Sequence, residues 1–166
     1  MVATNPVAST SHSIYGNILY WARRFDDAVA RLRRAIELDA GDLRGYIFLA
    51  RIYEATGKPL EALKVLDRPE FANSQTLGHA YAVAGRRADA LRIVQLLSRS
   101  ANPDRRGMAH IYFALGDKDR GLEWLAKSLD AHETTAPFVV NPAYDSVRSD
   151  PRFQALVARL KFPPAS

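Results

Sequence analysis

One phrase, repeated four times along the chain, limits what it can fold into. An aromatic residue or leucine near the end of one stretch is followed by a helix-breaking point, then by a small residue early in the next stretch. The clearest copies run Tyr53, Gly57, Pro59, Ala62 and Tyr81, Gly85, Ala90; a third runs Tyr112, Gly116, Gly121. A looser copy leads from Leu19 through Trp21 and Phe25 to Ala28. Two antiparallel helices approach closely only where a small residue sits at their crossing. A large side chain at Ala28, Ala62, Ala90 or Gly121 would overpack the pair, at a cost of ~1–3 kcal/mol. The phrase therefore encodes helical hairpins, each leaving an apolar face for the next to cover.

Composition agrees with an all-helical reading. The 166 residues suffice for a substantial core, and 48% hydrophobic with 25% charged residues is ordinary for a globular chain. Strand-favouring residues are sparse and no alternating run is long. The chain has no cysteine, which excludes disulfides and thiolate chemistry. The N-terminus lacks a basic and then apolar leader, and no stretch approaches ~18 apolar residues, so a cytoplasmic protein without membrane association is expected. The formal charge of +5 comes largely from arginine doublets at 23–24, 33–34, 86–87 and 105–106. They fall at turns and helix ends, where cations complement the helix dipole. That distribution argues against a nucleic-acid surface, which concentrates charge on one face.

Taken in order, residues 1–9 read as a flexible lead and 10–22 as a first helix with Ile14, Ile18, Leu19 and Trp21 apolar. The second helix opens at Phe25 with Asp26 and Asp27 in its first turn, and Gly41 is expected to end it in a left-handed turn. Later turns fall at Gly57–Pro59, Asp67–Pro69, Gly85 and Asn102–Asp104. Small-residue positions are separated by 34 (Ala28 to Ala62), 28 (to Ala90) and 31 (to Gly121) residues. The first step is a full tetratricopeptide period and the others are shorter by one or two helical turns.

On Leu77, Gly78, Tyr81, Gly85 and Ala90, and on the equivalent positions above, the chain resembles the tetratricopeptide repeat family over residues 10–132. The repeats run about 9–42, 43–70, 71–101 and 102–132. The resemblance implies an all-α, right-handed α–α superhelix of four hairpins. Residues 133–166 resemble the C-terminal block that follows the last repeat in bacterial signalling and regulatory proteins of this family. In that block Asp150 caps a terminal helix, Pro151 opens it, and Phe153, Leu156, Val157 and Leu160 form its apolar stripe, closing the solenoid.

The family resemblance also implies a function: a non-catalytic scaffold or adaptor binding a protein or peptide segment in the concave groove. Carrying the family's inward positions onto this chain gives Asn17, Tyr20, Trp21, Arg44, Phe48, Arg51, Gln75, His79, Arg106, His110 and Phe113. Aromatics and arginines are the types that most often carry binding energy. Capture of a chaperone's C-terminal carboxylate is disfavoured, since only Asn17 fits that pattern and Ser13, Phe48, Ala72 and Thr76 depart from it. His79 and His110 share a repeat position and are expected to stack on the inner surface. Neither a His-Glu-x-x-His string nor a glycine-rich phosphate loop occurs, so no enzyme, cofactor or metal is expected. Two other readings stay open: a regulatory or oligomerisation module associating through Ile14 and Ile18, and nucleic-acid binding resting on charge alone.

Overall fold

A computed structural model describes residues 5–133 and 141–160, and every regular element among them is helical. The chain divides into two compact units, residues 1–72 and 73–166. Unit 1 holds α1 (Pro6–Trp21), α2 (Phe25–Leu38), α3 (Leu43–Ala55), α4 (Pro59–Val65) and a 3-10 turn at Pro69–Phe71. Unit 2 holds α5 (Gln75–Val83), α6 (Arg87–Ser98), α7 (Arg105–Ala114), α8 (Lys118–Asp130), a 3-10 turn at Pro142–Val147 and α9 (Pro151–Ala158). Consecutive helices pair as antiparallel hairpins: α1 with α2, α3 with α4, α5 with α6 and α7 with α8.

The repeated phrase has one physical origin. In each hairpin the carbonyl of Leu19, Tyr53, Tyr81 or Tyr112 accepts the N–H five residues on, at 2.9, 2.7, 2.8 and 2.9 Å. The residue before that donor is left-handed: Arg23 (φ 59°), Gly57 (72°), Gly85 (76°) and Gly116 (78°). This is the double-bonded helix stop that satisfies the last carbonyls of a helix, and glycine adopts it without strain. Five residues beyond each left-handed position stands the small residue. Ala28, Ala62 and Ala90 are wholly buried. At Gly121 an added Cβ would come within 2.3 Å of the Phe113 ring. The first hairpin thus makes the same turn with arginine where the others use glycine.

Two expectations change. The lead over residues 1–9 is helical from Pro6 onward, because Asn5 accepts the Ala8 N–H at 3.1 Å and Pro6 takes the first helical position. Ser9 then donates from its buried hydroxyl to the Ala35 carbonyl at 3.0 Å, fixing that first turn against α2. Gly41 is not left-handed. α2 stops because Asp39 is extended (φ −154°) and its carboxylate accepts the Gly41 N–H at 2.9 Å.

The core of unit 1 gathers Leu19, Tyr20, Ala28, Leu32, Leu49 and Ile52. Unit 2 builds one cluster around Ile93, Met108 and Ile111, and a second around Phe113, Leu125, Tyr144, Val147 and Phe153. In the second, the C-terminal turn and α9 lie on the α7–α8 hairpin. Asp150 caps α9 by accepting the Arg152 N–H at 2.9 Å, and Phe153, Leu156, Val157 and Leu160 pack inward. Of the C-terminal block expected over residues 133–166, residues 134–140 and 161–166 lie outside the described residues.

Candidate functional site

Within unit 1, two ridges face each other across α1 and α3. Ser13 donates to Asp42 Oδ2 at 3.1 Å, Arg44 reaches Thr10 Oγ1 at 2.7 Å, and the Tyr20 and Phe48 rings stand 6.4 Å apart. Asn17 lies between Ser13 and Tyr20 at helical spacing, and Arg51 one turn beyond Phe48. Both are half-buried. Asn17 Oδ1 and Arg51 Nε are buried atoms with no hydrogen-bond partner among the described residues. Buried polar atoms are normally satisfied, and leaving one unmade costs ~1–3 kcal/mol. Trp21 and Phe48 are half-buried at the edge of the same apolar cluster.

Asp42 anchors this region. Its side chain is 7% exposed and accepts from Ser9, Ser13, and the Arg44 backbone and guanidinium. Burial pushes its carboxyl up, but the Arg44 side-chain and backbone hydrogen bonds, the Arg44 charge and the Ser13 hydroxyl outweigh it. The net result is a pKa below the ordinary 3.8. Arg44, expected to face a partner, is exposed but committed to Asp42 and Thr10.

Within unit 2, Gln75 and His79 are half-buried on α5, and Arg106 is exposed at the start of α7. Gln75 Nε2 donates to Thr76 Oγ1 at 3.2 Å, while its buried Oε1 has no hydrogen-bond partner among the described residues. His79 and His110 do meet, edge to face with ring centroids 6.3 Å apart. They do not form an open pair, however. His110 is 4% exposed, because the Tyr144 hydroxyl lies 2.8 Å from its Nε2 and the Tyr144 ring covers it.

Three of the eleven predicted groove residues are therefore core. Tyr20, His110 and Phe113 are 3%, 4% and 4% exposed. Tyr20 fills the angle between Phe25 and Phe48, and Phe113 packs over Gly121 and against Tyr144. Asn17, Trp21, Phe48 and Arg51 remain together in unit 1, and Gln75, His79 and Arg106 remain in unit 2. Sequence reasoning missed Ser9, Asp42 and Tyr144 as organising residues. Ser9, Ser13, Gly16 and Tyr20 recur every three or four positions, and that periodicity was the available signal for a buried polar face on α1.

The basic charge is largely spoken for. Arg24, Arg34 and Arg86 pair with Asp27, Glu37 and Asp89 at 2.6, 3.0 and 2.8 Å, and Arg105 pairs with Glu133. Exposed pairs of this kind add little stability, but they neutralise the doublets locally. Among the described residues there is no group of three or more metal-ligating side chains, and no helix long and apolar enough to cross a membrane.

Residues 21–75 match a family model described as tetratricopeptide repeat. Searches of curated proteins and of solved structures returned no match. The matched stretch runs from the first hairpin turn to the start of α5, and the described residues repeat the same turn and crossing in four hairpins. Over residues 21–75, within an all-helical chain, the protein is similar to the tetratricopeptide repeat family.

Proposed function

We propose that the protein is a non-catalytic scaffold that holds a segment of a partner protein along the α1–α3 side of unit 1. Tetratricopeptide repeats generally mediate protein–protein interaction, which gives the class of activity. The observation that carries the finer reading is that the half-buried side chains Asn17 and Arg51 each hold a buried atom, the acceptor Oδ1 and the donor Nε, that has no hydrogen-bond partner among the described residues. A peptide backbone supplies the complementary N–H and C=O groups. Trp21 and Phe48 beside them offer apolar contact, and the Arg51 charge favours an acidic neighbour. Gln75, His79 and Arg106 in unit 2 are a second polar set of the same character.

The test is a display library of random 12-residue peptides panned on the full chain. Selected peptides should lose at least tenfold in affinity against Asn17→Ala and against Arg51→Glu, with unchanged helical circular dichroism. Peptides that bind both variants as well as the wild type would place recognition elsewhere and overturn the reading.

A further inference from the structure

The 16 residues of α1 include no charged side chain, yet the helix keeps an open outer face. Val7, Ile14 and Ile18 are 79%, 52% and 50% exposed, and Tyr15 is 44% exposed. Their spacing puts them on one stripe, opposite the Ser9, Ser13, Gly16 and Tyr20 side that packs inward. Ser11 separates Val7 from the rest, but Ile14, Tyr15 and Ile18 are neighbours, and a contiguous apolar patch in water marks an interaction surface where scattered single residues would not.

Beside the stripe, α2 contributes a basic edge. Arg24, Arg31 and Arg34 line a cleft of about 310 Å³ with His12 and Tyr15, and Asp27 is the only carboxylate lining it. Arg24 already holds Asp27, and Arg34 holds Glu37. Arg31 lies over the Tyr15 ring, 5.1 Å from its centroid, and pairs with no carboxylate among the described residues. An apolar patch beside one cation, Arg31, that meets no carboxylate among the described residues is complementary to an amphipathic helix that brings a carboxylate to that edge.

We infer that the α1–α2 face docks an acidic amphipathic helix of a partner protein, distinct from the segment held along α1 and α3. Its apolar residues cover Ile14 and Ile18, and its glutamates or aspartates meet Arg31 and the cleft. Charge selects this occupant. A second copy of α1 brings no carboxylate to Arg31, and a nucleic acid brings no apolar surface to Ile14 and Ile18.

The experiment uses two synthetic 16-residue helix-forming peptides with leucines at alternating three- and four-residue spacing. One carries glutamate on the flanking positions and the other lysine. Binding to the full chain is read by fluorescence anisotropy, and the docking surface by isoleucine methyl NMR. The glutamate peptide should bind at least tenfold more tightly than the lysine peptide and shift the Ile14 and Ile18 methyls. Ile18→Glu should remove binding, Arg31→Glu should abolish the preference between peptides, and Arg31→Lys should restore it. Arg51→Glu should leave this binding intact, which separates it from the α1–α3 site. Equal binding of both peptides, or methyl shifts away from α1, would overturn the inference. So would dimerisation of the chain lost in Ile18→Glu, or an oligonucleotide that shifts the same methyls when the glutamate peptide does not.

Discussion

The two units make the same helix stops and small-residue crossings but finish their hairpins with different chemistry. Unit 1 joins α1, α2 and α3 through a buried polar knot in which Asp42 accepts from Ser13 and Arg44, and the Ser9 hydroxyl shares its one proton between Asp42 and the Ala35 carbonyl. Unit 2 seats its last segment with different groups. There an aromatic plug, Tyr144 against His110, Phe113 and Phe153, seats the C-terminal segment on α7 and α8. The polar knot leaves the outer stripe of α1 exposed, while the aromatic plug covers the apolar face of the α7–α8 hairpin. The repeat phrase thus encodes each hairpin, whereas the surfaces where a row of hairpins ends are encoded one by one.

That contrast breaks most visibly at the plug. Tyr144 is wholly buried, so Tyr144→Ala should destabilise the chain by about 3–5 kcal/mol, with hydrogen exchange rising first in α7, α8 and α9. Tyr144→Phe keeps the ring and removes only the hydroxyl opposite His110, and should cost about 1–2 kcal/mol. If the two substitutions cost the same in urea denaturation, the plug depends on the hydrogen bond and not on packing.

The knot is next in size. Asp42→Ala removes a helix cap and a charged acceptor, and should cost about 2–4 kcal/mol. Its pH dependence has a definite sign. The folded-state pKa of Asp42 is lowered, so the unfolded state takes up the proton first. The stabilisation is complete above the ordinary 3.8 and is lost as pH falls from there through the lower folded value. Wild type and Asp42→Asn, compared by denaturation between about pH 2 and pH 6, should converge toward the acid end. A gap independent of pH would remove the charge from the account.

The smallest effects sharpen what the units share. An added Cβ at Gly85 meets nothing within 4 Å, so Gly85→Ala should cost about 1 kcal/mol through backbone conformation alone. Arg23 holds the equivalent left-handed position, and Arg23→Gly should gain about 0.5–1 kcal/mol in thermal melts. Equal and opposite shifts would establish the four turns as one device.

Much of the fold was legible because it rests on local rules. Glycine positions gave three of the four turns, small residues gave the crossings, and Pro59 and Pro151 gave helix starts. The candidate site was less legible, because repeat position says which side of a helix a residue occupies but not what covers it. His110 has the right position for a groove. It is sealed by a tyrosine 34 residues away that no periodicity links to it. Phe113 is core because its ring fills the space that Gly121 leaves, and Tyr20 because Phe25 and Phe48 close around it. Ser9 was read as part of a lead because its partner, the Ala35 carbonyl, is a backbone atom that no side-chain pattern reports.

The central claim is that Asn17 and Arg51 recognise a partner's backbone. Its most direct measurement is an NMR titration of the full chain with a panned peptide, following the Asn17 side-chain amide and the Arg51 Nε–H. Both signals should move together and gain protection from solvent exchange, in proportion to bound peptide. If the peptide binds while both stay at their free positions, the unmet atoms on α1 and α3 are not the recognition site.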